Sequence, residues 1–299
     1  MNRFAFAAAF ATALSAVSTL PAHAQESATL KKIKDTASIT LGHRESSIPF
    51  SYYDDKQQVI GYSHELMLKA VEGIKAELKL AKIDTKLMPV TSANRITLIQ
   101  NGTVDIECGS TTNNTERQKQ VAFSNSIFII GTKLMAKKGA GINDFADLAG
   151  KNVVTTAGTT SERLIRKMNE DKQMKMNVIS AKDHGEAFLT LETGRAIAFM
   201  MDDALLYGEI AKAKKASDWI VTGTAQSKEA YGCMLRKDDP EFKKLVDASL
   251  AKAMTSGDAE KIYAKWFMNP IPPKGLNLNM ALSDEMKTAY KAPNDKAFE

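Results

Sequence analysis

Residues Glu107 to Arg117 read ECGSTTNNTER, and this stretch decides the fold. The run Val104-Asp105-Ile106-Glu107-Cys108 leading into it has the look of a short strand, ending at Gly109. A hydroxyl- and amide-rich segment, Ser110 to Asn114, follows. A helical pattern, TERQKQVAF, then begins with Arg117 in its first turn. Hydroxyls, free backbone N–H groups and a guanidinium thus converge at one strand-to-helix junction, which suits a carboxylate. An ordinary turn capped by Asn113 or Asn114 is the competing reading.

The pattern repeats on both sides. From Ser38 the run SITLGHR reads as a strand ending at Gly42, and Ser63 to Leu80 carries apolar residues at helical spacing (Leu66, Ala70, Val71, Ile74, Leu78). TKLMPVT is a second strand, followed by the helix SANRITLIQNG, which Gly102 closes. Alternation of this kind predicts a mainly parallel sheet flanked by helices. After Phe123 the run FSNSIFIIGTKLMAKKG has no helix and reads as a crossover. A second βα series follows: NVVTTAG, TTSERLIRKMNED, MNVISAK, DHGEAFLTLETG, AIAFMMDD, ALLYGEIAKAKK. WIVTGTAQSKEAYGCMLRKDD reads as the returning crossover, and the tail is mostly helical. The expected fold is therefore α/β with two lobes joined by two crossing strands. The lobes are expected at 25–130 with 228–299, and at 131–227, with the ligand cleft between the carboxyl ends of the sheets.

The first residues are a leader by composition: Met1-Asn2-Arg3, an apolar run from Phe4 to Leu20, then Pro21 and the A-x-A site Ala22-His23-Ala24. A secretory signal peptide at 1–24 and a periplasmic address are expected. Removing it removes Arg3 and no acid, so the formal charge falls from +5 to +4. The lysines are scattered and form no basic stripe with interleaved aromatics, so nucleic acid is not an expected partner. Two cysteines, Cys108 and Cys233, form an even pair in an oxidising compartment, which makes a disulfide the expectation over two buried thiols. The four histidines lack ligand spacing, and neither a metal site nor a cofactor is expected.

Arg44, Arg95 and Arg117 each stand at a successive βα junction of the first lobe. Three guanidiniums on one sheet edge point to an anionic ligand, since a planar fork meets a carboxylate with two hydrogen bonds. In the second lobe Gly158 to Glu162, GTTSE, places Thr159 and Thr160 at a helix start, with Thr160 as the expected cap. His184 opens the next helix as an anion donor or a surface histidine. Asp202 ends an apolar strand and could hold an ammonium, while Asp203 is read as an N-cap. No nucleophile–base pair emerges: Ser110 has no histidine partner in the local pattern, and Glu107 and Glu186 stand unpaired.

The segments IPFSYYDD, GYSHEL, STTNNTERQKQVAFSNSIF, GTTSE and FMMDD make the chain resemble the periplasmic amino-acid-binding proteins of ABC transporters. GHRESSIPFSYYD, TSANRI, SAKDHGE, AYGCMLRKDDP and NPIPPK narrow the resemblance to the glutamate/aspartate-binding subgroup, over essentially the whole mature chain. The resemblance implies a set of roles. Arg117 grips the α-carboxylate, assisted by Thr112 and Thr160. Asp202 takes the ammonium, shared with Ser110. Arg44, Arg95 and His184 act as further cations for the side-chain carboxylate, with Ser92 close by. The fold of this family also implies that the third strand lies beside AYGCML, which would make Cys108 and Cys233 neighbours. One departure is Asn114, where many members have threonine. The expectation is a non-catalytic monomeric receptor for L-glutamate or L-aspartate, delivering to an inner-membrane ABC permease. Two alternatives stand beside it: a receptor for glutamine or another polar amino acid, and a cyclohexadienyl-dehydratase-like enzyme using Glu186.

Overall fold

The computed structural model describes residues 27–298, so the expected leader at 1–24 lies outside the described residues. Helix α1 (Ala28–Thr36) leads into β1 (Ser38–His43). A small antiparallel sheet follows, β2 (Ser46–Ser47), β3 (Ser51–Tyr53) and β4 (Val59–Ile60). Next come α2 (Tyr62–Glu77), β5 (Asp84–Pro89), α3 (Arg95–Gln100), β6 (Ile106–Glu107), β7 (Thr112–Asn113), α4 (Thr115–Gln118) and β8 (Ala122–Phe123). The chain then runs through β9 (Phe128–Ile130) and β10 (Thr132–Lys137) into β11 (Asn152–Thr156), α5 (Thr160–Asp171), β12 (Asn177–Ala181), α6 (His184–Glu192), β13 (Ala198–Asp202), α7 (Asp203–Lys212) and β14 (Trp219–Thr222). It returns through β15 (Glu229–Tyr231) and β16 (Met234–Leu235) to α8 (Pro240–Thr255), α9 (Asp258–Phe267) and α10 (Asp284–Lys291).

Two five-stranded sheets result, ordered β5-β1-β6-β16-β8 and β12-β11-β13-β10-β14. Each is mainly parallel. In the first, β16 runs against β6 and β8, and in the second β10 runs against β13 and β14. The reversed strand in each case belongs to a crossover, which must enter its sheet from the opposite end. The long run after Phe123 is accordingly two strands broken at Gly131. β9 pairs with β15, whereas β10 enters the second sheet. The helix expected over TERQKQVAF stops at Gln118, because Ala122 and Phe123 pair with Leu235 and Met234 instead. Helix α1 lies outside the sequence-based expectations. Ser27 caps it by accepting from the Leu30 N–H at 3.0 Å, and Ala37 ends it in the left-handed region.

The crossing strands form their own sheet, β7-β15-β9, which brings Thr112 opposite Tyr231 and Glu229 opposite Ile130. An aromatic cluster backs it. Phe50 meets Phe128 and Tyr231 edge-on at 4.9 and 5.2 Å, Phe128 stacks on Phe267 at 4.9 Å, and Tyr263 stacks on Phe267 at 4.5 Å. Such pairs add to the burial of the rings themselves. A rigid base for the crossover follows, and Tyr231 carries its hydroxyl out of that base toward the cleft. Cys108 and Cys233 form a disulfide between the end of β6 and the start of β16.

Candidate functional site

The first-lobe end of the cleft is built at the carboxyl edge of the sheet. Arg44 follows β1, and its backbone N–H donates to Ser51 Oγ at 2.9 Å. Its guanidinium donates to Ser110 Oγ at 3.4 Å. Arg95, the first residue of α3, donates to the Ser110 carbonyl at 2.9 Å and to Thr111 Oγ1. The Thr111 hydroxyl passes on to Glu107 Oε2 at 2.7 Å. Buried Glu107 thus meets Arg95 through Thr111, and its charge acts on both Arg44 and Arg95. Burial and the neighbouring Arg95 bring the Arg44 pKa down to about 10, against the pull of Glu107, so Arg44 stays charged at neutral pH.

Arg117 is held by its own turn. Asn114 accepts from the Arg117 N–H at 2.9 Å and caps α4, which explains why asparagine serves at this position. The guanidinium donates to the Thr112 carbonyl at 2.9 Å and across the cleft to the Gly158 carbonyl at 3.2 Å. Burial, then repulsion from Arg95 and Arg163, lowers its pKa to about 9, with Glu229 and Asp202 opposing, and it too remains a cation.

In the second lobe Thr159, not Thr160, caps α5: it accepts from the Glu162 N–H at 3.0 Å and donates to the Thr156 carbonyl at 2.7 Å. That frees the Thr160 hydroxyl, which reaches Glu229 Oε2 at 2.8 Å and lies 3.5 Å from Thr112 Oγ1. His184 opens α6, with Asp183 as the cap. Its Nδ1 lies 2.8 Å from Thr156 Oγ1. Burial together with Arg44, Arg95 and Lys212 holds the imidazole pKa well below its ordinary value. His184 is thus neutral, and the expectation of a third cation at the side-chain end gives way to a neutral hydrogen-bonding group. Asp202 ends β13 and accepts from Thr132 at 2.9 Å and from the Tyr231 hydroxyl. Asp203 is the first residue of α7 rather than its cap, because the chain turns one residue earlier, at Asp202.

Arg44, Arg95 and Ser110 share one cluster. Thr112, Arg117 and Thr160 meet across the cleft, and His184 is close enough to Arg44 and Arg95 to feel their charge. The Ser110 hydroxyl accepts from Arg44 and lies 3.3 Å from the Ser47 hydroxyl. Four buried polar atoms here lack a protein hydrogen-bond partner among the described residues, namely Ser92 Oγ, Arg95 Nε, His184 Nε2 and Glu107 Oε1. Buried polar atoms are nearly always satisfied, so a cluster of exceptions marks a place where another molecule's atoms belong. Sequence reasoning missed Thr111, Thr132, Glu229 and Tyr231, and saw in Glu107 only an unpaired acid. The signal for the pair Glu229 and Tyr231 is their i, i+2 spacing, which puts both on one strand face.

Residues 39–269 match the model of the bacterial extracellular solute-binding proteins, family 3. The chain belongs to this family. The solute-binding protein is 62% identical over 282 residues to a glutamate/aspartate import solute-binding protein of Salmonella typhimurium, covering 93% of each chain. It is 64% identical over 272 residues to an L-glutamate/L-aspartate-binding protein of Pseudomonas aeruginosa, covering 91% of this chain and 90% of that one. Among solved structures it is similar to an ancestral arginine-binding protein bound to arginine, at 27% identity and a TM-score of 0.70, over 77% of this chain and 98% of that one. These relatives carry names of binding and import, not of catalysis. The two-lobed architecture of this solute-binding protein is thus that of its family.

Proposed function

We propose that this protein is a periplasmic receptor for L-glutamate and L-aspartate, which it captures between its lobes and delivers to an inner-membrane ABC permease. Lobe boundaries at 130/131 and 227/228, a cleaved leader at 1–24 and a monomeric state belong to the same proposal. Arg117 with Thr112 and Thr160 takes the α-carboxylate, and Asp202 takes the ammonium. Arg44, Arg95, Ser92 and His184 take the side-chain carboxylate, and Ser110, which also meets Arg44, shares the ammonium with Asp202. One observation carries the reading: Ser92, Arg95 and His184, from both lobes, each present a buried polar atom without a partner among the described residues, in a cluster that holds the Arg44 and Arg95 guanidiniums. A carboxylate satisfies all three with charge-assisted bonds of roughly 1.5–3 kcal/mol each.

The identity to two glutamate/aspartate-binding relatives supports the ligand class. Calorimetry with glutamate, aspartate and glutamine tests it: micromolar or tighter binding of the first two and weak binding of glutamine is expected. Tighter binding of glutamine would overturn it. Arg117→Ala should abolish both acidic ligands, because the group it holds is common to them; retention of either removes that role.

A further inference from the structure

Two buried carboxylates stand together at the ammonium end. Glu229, the first residue of β15, accepts through Oε2 from Thr160 at 2.8 Å and from Thr112. Its Oε1 accepts from Ser227 at 3.0 Å and lies 3.4 Å from the Thr132 hydroxyl. The same Thr132 hydroxyl donates to Asp202 at 2.9 Å, and Ser161 lies 3.4 Å from that Asp202 oxygen. Every one of these donors, like Tyr231, is a hydroxyl. Ion pairs that reach other buried acids go to Asp105, Glu209 and Asp239, and none among the described residues goes to this pair. Arg95 and Arg117 face the pair from the first lobe, yet their donated hydrogen bonds go to carbonyls and to Thr111. Asp203 adds a further negative charge from α7.

Hydroxyls satisfy lone pairs but do not neutralise charge, and two buried anions side by side are costly without a cation. We infer that Glu229 is a second anionic residue for the ligand's α-ammonium, so that the amino group is recognised by a carboxylate pair rather than by Asp202 alone. The inference rests on the acidic-amino-acid reading and deepens it. Glu229 lies on the returning crossover strand, with Thr112 donating from one lobe and Thr160 from the other. Its charge therefore links recognition of the amino group to closure of the cleft. The pH dependence follows. Burial and Glu229 push the Asp202 pKa up to about 7. An arriving ammonium favours the ionised form, so binding displaces a proton and affinity falls as pH drops below that value.

The test compares the intact protein with Glu229→Gln, which keeps the shape and removes the charge. L-glutamate and glutarate, which lacks the amino group, are titrated by calorimetry from about pH 5 to about pH 8. Glutamate affinity should fall about tenfold or more in Glu229→Gln, with no matching loss for glutarate. The pH at which glutamate affinity drops should move lower, because Asp202 has lost its anionic neighbour. Glu229→Asp, which keeps the charge, should retain the preference for glutamate over glutarate. Equal losses for both ligands, an unmoved pH threshold, or a Glu229→Asp variant as unselective as Glu229→Gln would each overturn the inference. Failure of the unaltered protein to bind glutamate or aspartate would instead remove the receptor reading itself.

Discussion

At the scale of single residues the site is a set of buried charges whose cost has to be met by something. Asp202 shows this most directly. Its folded-state pKa of about 7 lies above the ordinary 3.8, because burial and Glu229 disfavour the carboxylate. The associated cost is absent below about pH 4, grows as pH rises, and is complete above about pH 7. Asp202→Asn should therefore stabilise the ligand-free protein at about pH 8, by about 0.5–2 kcal/mol, while weakening ligand binding severely. The gain should shrink toward about pH 4, where the aspartate is already neutral. Thermal melting at both pH values, beside a binding titration, checks this. A variant equally stabilised at both would show that the buried charge is not the cause. Arg44, Arg95, Arg117 and Asp202 are legible as site candidates in sequence because strand ends deliver them to one edge. Glu107 and Glu229 are not, since a lone glutamate in a strand carries no mark of which cation or hydroxyl it will face. Counting three arginines against Asp202 alone accordingly overstates the positive charge of the cleft.

Among the elements, β6 and β16 matter most to the site's rigidity. β6 is two residues long and carries the ECGSTT turn directly beyond it. Its last residue, Glu107, pairs with Met234 of β16, and the Cys108–Cys233 disulfide joins the two strands beside that pairing. The bridge spans 125 residues of sequence and ties the first-lobe turn to the returning crossover. Replacing both cysteines with serine is expected to cost about 2–4 kcal/mol in unfolding measurements. Titration of the unfolded, unreduced protein should find no free thiol. One or two free thiols would remove the bridge from the account. The alternation of strand and helix is readable from periodicity, whereas the ends of α3 and α4 are not. Ser92 to Asn94 and Lys119 to Phe123 have helical composition, but turn bonding at Thr91–Asn94 and pairing with β16 claim them.

For the whole molecule, function depends on how closely the lobes approach. Gly208 of α7 sits against Ile48 of the first lobe, and an added Cβ would come within 2.1 Å of the Ile48 carbonyl oxygen. Gly158, at φ +76°, leaves an added Cβ only 2.7 Å from the Ala93 backbone. The Gly185 N–H donates to Ser46 Oγ at 3.3 Å across the same seam. Glycine at 158 and 208 lets backbone meet backbone, so side chains of both lobes reach one ligand. Gly208→Ala should reduce the population that can close and weaken glutamate binding about tenfold, without any contact to ligand being altered. Calorimetry together with small-angle X-ray scattering reads both effects. Full affinity with normal ligand-induced compaction would show that this seam does not limit closure.

The sequence by itself determined the order of strands and helices, the junctions that deliver Arg44, Arg95, Arg117, His184 and Asp202, and the cysteine pair, because periodicity and turn chemistry are local. The tertiary structure alone decided which groups share a charge environment. It brought Glu229 and Tyr231 of the returning strand beside Asp202, put Glu107 within reach of the charges of Arg44 and Arg95, and buried His184 where those arginines lower its pKa. Burial and the approach of distant charges fix those states, and neither is written in any one stretch of chain.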